Sequence, residues 1–395
     1  METHFWMTTD SVRADLQQTQ ANHGGNNVVF FDSGPGKLLH SLIYFLACPV
    51  MMLVAISTNL INVTVFLRAG LNDGMTITFL GLAVSDLLYN VFYCMGRLLN
   101  AVHSVFGSRP YLNTFHLSYI FAKHGRMWFN VSVLLTVYAA IQKTACIAIP
   151  LTFRSFFTRR KSAITVIAIY LAVVTYFLPF LTLDQLQPYM ERGTNRTRLG
   201  YSLRNRNMAG KIQDFVTYAN RIILPYVSQG IVVICVIVIT FKLRSAAETR
   251  RKMTSTNNDC DTDLNDETVG SVGDEKGKKN AESGRTNNSG SGVLSLRELR
   301  VIRSVNILCA IFIAGTTPQT IIGAFNLAFP EFGDFGAYYS VYTFTQAFQQ
   351  LMEITSTAVN ILVYYHFNSK YRRTFEAIFK RNIEDTNSKS ETQTS

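Results

Sequence analysis

Several ionisable side chains lie inside long apolar stretches of the sequence, where a charge is unfavourable unless it is paired. Asp86 lies in FLGLAVSDLL, and Arg126 and Glu353 lie within two later apolar stretches. In a membrane such residues face the interior of a helix bundle, where they pair or serve function. Arg126 and Glu353 could form a structural ion pair with each other, or one of them could bind a charged group of a ligand. The sequence leaves both alternatives open.

Catalytic chemistry is not expected from this sequence. It contains no nucleophile–base spacing, no cluster of metal-ligating residues and no phosphate-binding loop. Five of the six cysteines lie in apolar stretches, Cys260 lies in a polar one, and none has metal-ligand spacing. We therefore predict that the protein is not an enzyme and that it needs no organic cofactor.

The apolar stretches predict a membrane protein. Hydrophobic residues make up 48% of the chain and charged residues only 16%, against roughly a quarter charged in soluble domains. A bilayer core of about 30 Å requires about 20 apolar helical residues per crossing. An all-α fold is predicted, a bundle of seven transmembrane helices over 39–68, 75–99, 113–147, 160–182, 215–244, 297–329 and 336–366.

The distribution of basic residues predicts the orientation. The formal net charge is +11, but the basic residues flank apolar stretches, so nucleic-acid binding is not expected. An outside N-terminus places most basic flanks in the cytoplasm, as in other multi-pass proteins of the plasma membrane. The arginine-rich segment 184–214 is the exception. It contains Asn195, the one N-glycosylation sequon that this topology leaves usable.

Three polar segments are predicted to be disordered. Residues 245–296 are rich in Gly, Ser, Asn and charge, and they cannot bury enough apolar surface to offset the entropy of ordering. They are predicted to form a disordered cytoplasmic loop within the bundle of residues 39–380. Residues 1–38 are predicted to form a disordered extracellular N-terminus, and residues 381–395 a disordered cytoplasmic tail.

Several short motifs follow one another along the apolar stretches. They are Asn59 in STNLINV, Asp86 in LAVSD, Pro150-Leu151, the Phe312 to Pro318 spacing, and Asn360 and Tyr364 in NILVYY. In order and interval they resemble the motifs of rhodopsin-like (class A) G-protein-coupled receptors, over residues 39 to about 380. The stretch GLNDGMTITFLGLAVSDLL is similar to invertebrate peptide and chemosensory receptors.

The resemblance implies roles for particular side chains. The ligand cavity would contain Tyr93, Arg97, Arg126, Phe129, Gln346, Gln350 and Glu353. A sodium-binding polar network would contain Asn59, Asp86, Ser132, Ser356 and Asn360, with Asp86 and Ser132 as candidate metal ligands. Oxygen ligands suit a hard cation, and a water network around Asp86 without an ion is the alternative. Residues 368–380 would form a short amphipathic helix on the membrane surface.

Activation and G-protein coupling would involve a second set of residues. They are Gln142, Lys143, Thr144, Glu298, Phe312, Thr316, Pro318 and Tyr364. Several of them depart from the family pattern, since Gln-Lys-Thr replaces Asp/Glu-Arg-Tyr at 142–144 and Thr316 replaces a tryptophan. Lys143 could pair with Glu298 as a latch weaker than arginine would give, or Glu298 could be a solvated charge. Both cysteines of the family's extracellular disulfide are missing, with Ser118 at one position.

The resemblance also limits the ligand. Gly125 replaces the aspartate that amine receptors use, and Ile354 replaces the lysine that binds retinal in opsins. A biogenic amine and retinal are therefore not expected. Arginines in and above the cavity favour a peptide or a small anion by charge complementarity.

The function implied is a receptor that transmits an extracellular signal to a heterotrimeric G protein. Exposed Ser and Thr of the polar loop and tail would be phosphorylated and recruit an arrestin. One alternative is a receptor-like protein that binds ligand without coupling, because of the altered 142–144 triplet. Another is a seven-span transporter or channel, although the sequence shows neither an internal repeat nor paired broken helices. The sequence does not specify the ligand, the G-protein class or the oligomeric state.

Overall fold

The computed structural model describes residues 33–106, 111–190, 197–204, 206–263, 296–329, 331–333 and 337–379. Most of these residues are helical. The helices are α1 (Gly34–Ala69), α2 (Gly74–Phe106), α3 (Thr114–Ala148), α4 (Pro150–Phe156), α5 (Arg159–Thr182), α6 (Arg206–Tyr218), α7 (Leu224–Asp263), α8 (Leu296–Ala328), α9 (Tyr339–Ala358), α10 (Asn360–Phe367) and α11 (369–379). Two strands, β1 (Asp184–Met190) and β2 (Thr197–Leu203), pair antiparallel between α5 and α6. A π-helical turn, Ile43–Ala47, lies within α1, and another, Ala219–Ile223, joins α6 to α7.

Six helical stretches within the described residues are long and apolar enough to cross a membrane. They are Gly34–Ala69, Gly74–Phe106, Thr114–Ala148, Arg159–Thr182, Gly210–Lys242 and Asn306–Ala328. Large apolar side chains cover their outer faces, such as Leu171 on α5 and Ile234 on α7, each 62% exposed. Such a surface is unfavourable in water but not in lipid hydrocarbon. The apolar helices therefore indicate a membrane-embedded protein.

The last predicted span, 336–366, is not among these six. It consists of two shorter helices, α9 and α10, which meet at Val359, a residue with φ −79° and ψ −7°. Polar side chains on α9, including Gln349 and Glu353, lower its hydropathy. These two side chains are nevertheless buried, and α9 packs against α1 and α8. The low hydropathy of α9 is thus explained by a polar face that lies inside the bundle.

Helix α3 lies at the centre of the bundle. It contacts α2, α5, α7 and α8, and its first half also contacts β2. Five consecutive residues, from Phe129 to Val133, are buried, so the helix is enclosed on all sides at this level. The polar side chains at this level of α3, Asn130 and Ser132, therefore lie within the bundle although they occupy different faces.

The all-α prediction does not hold for residues 184–203, where the structure has a β-hairpin instead of a loop. Its register pairs Asp184 with Leu203 and Met190 with Thr197. Sequence reasoning missed the strands because β1 contains Pro188 and β2 contains Gly200, and both residue types are unusual within strands.

Two predicted disordered segments are partly helical. Helix α1 begins at Gly34, five residues before the predicted span, and α7 continues to Asp263. The continuation of α7 is rich in Ala, Glu, Arg, Lys and Met, all good helix formers. Predictions for residues 1–32, 264–295 and 380–395 lie outside the described residues.

Helix α11 follows α10 after a single residue, Asn368. The Asn368 side chain accepts a hydrogen bond from the backbone N–H of Tyr371 at 3.1 Å, which caps the N-terminus of the helix. The Tyr371 hydroxyl donates to Asn62 Oδ1 on α1 at 2.6 Å. Burial raises the pKa of this hydroxyl above its ordinary value, so Tyr371 remains a donor at neutral pH. Helix α11 is therefore attached to α1.

Candidate functional site

A cavity of about 280 Å³ opens near the hairpin end of α3. It is bounded by α2, α3, α5, α6, the π-helical turn, α8 and α9. Its walls combine aromatic rings, amides and three cations. The lining residues are Tyr93, Tyr119, Ala122, Lys123, Arg126, Phe177, Phe180, Val216, Thr217, Asn220, Arg221, Gln319, Ile322, Gly323, Gln346 and Gln349.

An ion pair between α3 and α9 lies at this cavity. Arg126 Nη1 lies 3.1 Å from Glu353 Oε1, and the Glu353 side chain is completely buried. The carboxylate also accepts hydrogen bonds from the Tyr89 hydroxyl at 3.1 Å and from Gln349 Nε2 at 2.8 Å. Three donors compensate the burial of this charge. Arg126 lines the cavity, so a ligand there would contact the exposed partner of the pair.

The α2–α3 contact beside the cavity is tight because Gly125 has no side chain. A Cβ atom at this position would lie 2.3 Å from the Tyr93 ring. The rings of Tyr89 and Phe129 pack beneath, with centroids 5.1 Å apart, and the Arg126 guanidinium lies 5.1 Å from the Phe129 centroid. Phe129 thus supports Arg126 from below without lining the cavity.

A second ion pair joins the cavity to the hairpin. Lys123 Nζ lies 2.7 Å from Oδ1 of Asp184, the first residue of β1. The exposed fractions of the two side chains are 5% and 7%. The Lys123 ammonium also lies 4.1 Å from the centroid of the Phe180 ring. The pair fixes the base of the hairpin against α3.

Backbone hydrogen bonds fasten the other strand of the hairpin to the segment before α3. Leu199 N–H donates to the Tyr111 carbonyl at 3.0 Å, and Asn113 N–H donates to the Leu199 carbonyl at 2.9 Å. The Asn113 side chain also donates to the Tyr189 hydroxyl on β1 at 2.9 Å. These bonds join both strands of the hairpin to the segment before α3.

The third cation of the cavity, Arg221, lies on the π-helical turn. Its Nη1 donates to the Tyr342 hydroxyl on α9 at 2.8 Å. The preceding residue, Asn220, accepts a hydrogen bond from Asn130 Nδ2 on α3 at 2.7 Å. Gln319 Nε2 on α8 donates to the Asn220 carbonyl at 2.9 Å. The turn is therefore tied to α3 and α8 as well as to α9.

The structure separates the residues predicted to bind ligand. Tyr93, Arg126 and Gln346 line the cavity, whereas Glu353 and Phe129 lie behind it. Arg97 and Gln350 form a separate cluster, in which Arg97 Nη2 donates to Gln350 Oε1 and the guanidinium stacks over the Tyr44 ring. Neither of these two side chains is among those lining the cavity.

Sequence reasoning missed several lining residues. Lys123 and the Asn220-Arg221 pair are charged or polar residues in the outer parts of apolar stretches. This position is the sequence feature that could have identified them as cavity residues. Their partners lie far away in the sequence, with Asp184 in the hairpin and Tyr342 on α9. The sequence cannot indicate which end-of-helix charge faces inward.

Four of the five predicted sodium-binding residues, Asp86, Ser132, Ser356 and Asn360, line a small internal cavity of about 20 Å³. Asp86 accepts hydrogen bonds from the Ser132 hydroxyl at 2.5 Å and from Asn360 Nδ2 at 3.0 Å. Ser356 lines the same cavity, and its hydroxyl donates to the Glu353 carbonyl at 2.7 Å. Asn59 lies outside it and donates to the Thr357 carbonyl at 3.2 Å. About 10–15 Å³ suffices for one water molecule, so the cavity has room for a water or a bare ion.

Residues 142–144 occupy three different surroundings. Gln142 is buried, with Nε2 donating to the Ser162 hydroxyl on α5 at 3.1 Å and Oε1 accepting from the Thr78 hydroxyl at 3.0 Å. Lys143 lines a cavity of about 240 Å³ at the opposite end of the bundle from Lys123. Thr144 bonds only the Ala140 carbonyl of its own helix, at 2.8 Å. The predicted Lys143–Glu298 pair lies outside the described residues, because the side chain of Glu298 is not described.

The remaining coupling residues lie on α8 and α10. Thr316 donates to the Phe312 carbonyl and accepts from Gln229 Nε2 on α7, each at 2.8 Å. Pro318 lies inside α8, where its missing N–H removes one backbone hydrogen bond. The buried Tyr364 ring packs against Phe66, with centroids 5.1 Å apart. Asn195, the predicted glycosylation site, lies outside the described residues.

Comparison with known proteins adds no assignment. The sequence matches no protein-family model and shows no match to a curated protein. Among the described residues, no group of three or more His, Cys, Asp or Glu side chains is arranged to hold a metal ion.

Proposed function

We propose that the protein is a rhodopsin-like receptor of the plasma membrane that transmits ligand binding to a heterotrimeric G protein. In this proposal α9 and α10 together form the seventh span, the N-terminus is outside, and α11 lies on the membrane surface. The burial of the polar face of α9 and the attachment of α11 to α1 support this arrangement.

The observation that carries the proposal is a polar connection from the main cavity into the centre of the bundle. Arg126 lines the cavity and pairs with Glu353 on α9. One turn further along α9, Ser356 bonds the Glu353 carbonyl and lines the small cavity around Asp86. A ligand that moves Arg126 would therefore favour one position of α9 over another, and this is the requirement for a ligand to shift a conformational equilibrium.

The opposite end of the bundle supplies a surface for a G protein. Lys143, Asp73, Tyr364 and Lys370 line a cavity there, and Lys370 Nζ lies 3.7 Å from Asp73 Oδ2. Residues 126 and 143 are 17 positions apart on α3, which corresponds to about 25 Å at 1.5 Å per residue. The two cavities are therefore separate sites on one helix.

The cluster around Asp86 lies between them on α2, α3 and α9–α10. In the proposal it binds a sodium ion in the inactive state, with oxygen ligands from Asp86, Ser132 and Ser356. A water molecule in the same place is the alternative, and the two are distinguished by the sodium dependence of stability described below.

The test is a signalling assay in cells that express the chain. cAMP, calcium and inositol-phosphate output are recorded against peptide and small-anion libraries. We expect a response that Arg126→Ala abolishes, while Arg204→Ala, which removes an exposed arginine near the end of β2, leaves it unchanged. Surface expression is measured for each variant, because Arg126→Ala leaves the Glu353 carboxylate without its cation.

If no assay gives a signalling response, G-protein recruitment by the Lys143→Arg variant and transport measurements distinguish the remaining explanations. If Lys143→Arg restores G-protein recruitment, the altered triplet weakens coupling in an otherwise functional receptor. Ligand binding without recruitment in either form would make this a non-coupling receptor. Substrate uptake or an ion current in proteoliposomes, without any recruitment, would identify a transporter or channel and contradict the proposal.

A further inference from the structure

Arg221 differs from the other two cations of the main cavity in having no acidic partner among the described residues. Lys123 pairs with Asp184 and Arg126 pairs with Glu353. The Arg221 guanidinium donates instead to a neutral hydroxyl, that of Tyr342. Counting only the described side chains, three positive and two negative charges thus leave one positive charge at the cavity without an acidic partner, at Arg221.

Neighbouring helices fix the main chain that carries Arg221, and the Tyr342 hydroxyl orients its guanidinium. The π-helical turn directs the neighbours Asn220 and Arg221 into the same cavity, and Asn130 and Gln319 bind Asn220 from α3 and α8. The Arg221 carbonyl lies against Gly323, where a Cβ atom would approach it to 2.5 Å. A cation held in advance of binding loses less entropy when a ligand arrives.

The remaining wall of the cavity is largely aromatic and aliphatic. It includes Tyr119, Phe177, Phe180 and Ile322. The volume of about 280 Å³ lies at the lower end of ligand pockets, which range over roughly 300–1,000 Å³. The cavity therefore suits a small apolar group that carries one charge.

The one positive charge of the cavity that lacks an acidic partner among the described side chains favours an anion with one negative charge over an anion with two. A guanidinium presents paired N–H donors that match the two oxygens of a carboxylate. A phosphate monoester would bring about two negative charges at neutral pH, and one of them would lack a free cation here. We propose that the main cavity binds the carboxylate of an aromatic or aliphatic monoacid, and that Arg221 is the residue that binds the carboxylate.

This inference rests on the proposed function for its site and narrows the ligand class. The carboxylate could belong to a small acid or to the C-terminus of a peptide. Both present the same group to Arg221, and the experiment separates them.

The experiment measures ligand binding by the purified full chain in nanodiscs, without a G protein. The probes are benzoate, phenylacetate and hydrocinnamate, each compared with its neutral amide at equal ionic strength. Short peptides ending in phenylalanine are compared with the same peptides amidated at the C-terminus. The readouts are the thermal unfolding midpoint and the dissociation constant from calorimetry.

We expect at least one acid or free-carboxyl peptide to raise the unfolding midpoint, and its amide to have no effect. Arg221→Gln should weaken binding about 10- to 100-fold, the equivalent of one charge-assisted hydrogen bond. Arg221→Lys keeps the charge without the paired donors and should recover part of the loss. Arg204→Gln, the matched removal of an exposed arginine, should bind like the original chain.

The inference is overturned if amides bind as well as acids, if no acid or free-carboxyl peptide binds, or if Arg221→Gln binds unchanged. The comparison of acid with amide stands even if Arg221→Gln does not fold. Acid binding without any G-protein response would refute the proposed function and leave this inference intact. A signalling response to neutral ligands alone would refute this inference and leave the proposed function intact.

Discussion

Lys123 and Asp184 form an ion pair of 2.7 Å in which both side chains are almost entirely buried. The pair joins the interior of α3 to the first residue of the hairpin, 61 positions away in the sequence. It places the first residue of β1 next to the cavity, because Lys123 lines the cavity and Asp184 is its partner.

Removing one partner of this pair should destabilise the protein strongly. Lys123→Met or Asp184→Leu leaves the other group buried without this counter-charge, which costs roughly 3–5 kcal/mol. The double variant Lys123→Met/Asp184→Leu should lose much less than the sum of the two. Unfolding midpoints of the purified variants test this as a double-mutant cycle, and strictly additive losses would show that the two charges do not interact.

Gly125 should tolerate no side chain. Gly125→Ala places a Cβ atom 2.3 Å from the Tyr93 ring, so the ring or the helix must shift. Overpacking of this kind destabilises by roughly 1–3 kcal/mol. Gly230→Ala is the matched control, since a Cβ atom there meets nothing within 4 Å. Thermal midpoints should therefore fall for the first variant and remain or rise for the second, and equal effects would contradict the packing described.

Alanine substitutions of Gln142 and Thr144 should lower stability to different extents, although both residues belong to the altered triplet. Gln142→Ala removes the hydrogen bonds to Ser162 and Thr78 at a fully buried position, at roughly 0.5–1.5 kcal/mol for each bond. Thr144→Ala loses only a bond within its own helix. We expect reduced surface expression and a lower midpoint for Gln142→Ala alone. A larger effect of Thr144→Ala would indicate that the triplet acts through exposed contacts.

Sodium should stabilise the protein through Asp86. The unfolding midpoint should rise when sodium chloride replaces choline chloride at constant ionic strength. Asp86→Asn should abolish this dependence, because the site loses its carboxylate. Asn59→Ala serves as the control, since Asn59 lies outside the small cavity. A midpoint independent of sodium would favour the water network.

The sequence predicts the membrane helices better than it predicts the cavity. Long apolar runs determine helices such as α2, α3 and α5 because the lipid surroundings require them. The hairpin was missed because Pro188 and Gly200 lie within its strands. Arg97 and Arg126 both lie in the outer parts of predicted spans. The rotation of their helices nevertheless places Arg97 beside Gln350 and Arg126 at the cavity. Rotation of this kind depends on tertiary packing, such as the contact of Gly125 with Tyr93.

The bridge from Tyr111 and Asn113 to Leu199 consists of main-chain hydrogen bonds, and the described cysteines, Cys48, Cys94, Cys146, Cys235 and Cys309, are free thiols. A reducing agent therefore has no covalent bond to cut between this hairpin and α3. The contact between β2 and the segment before α3 should keep its form in dithiothreitol. It should open instead under mild denaturant or mechanical tension, one hydrogen bond at a time, and close again without an oxidant when the stress is removed.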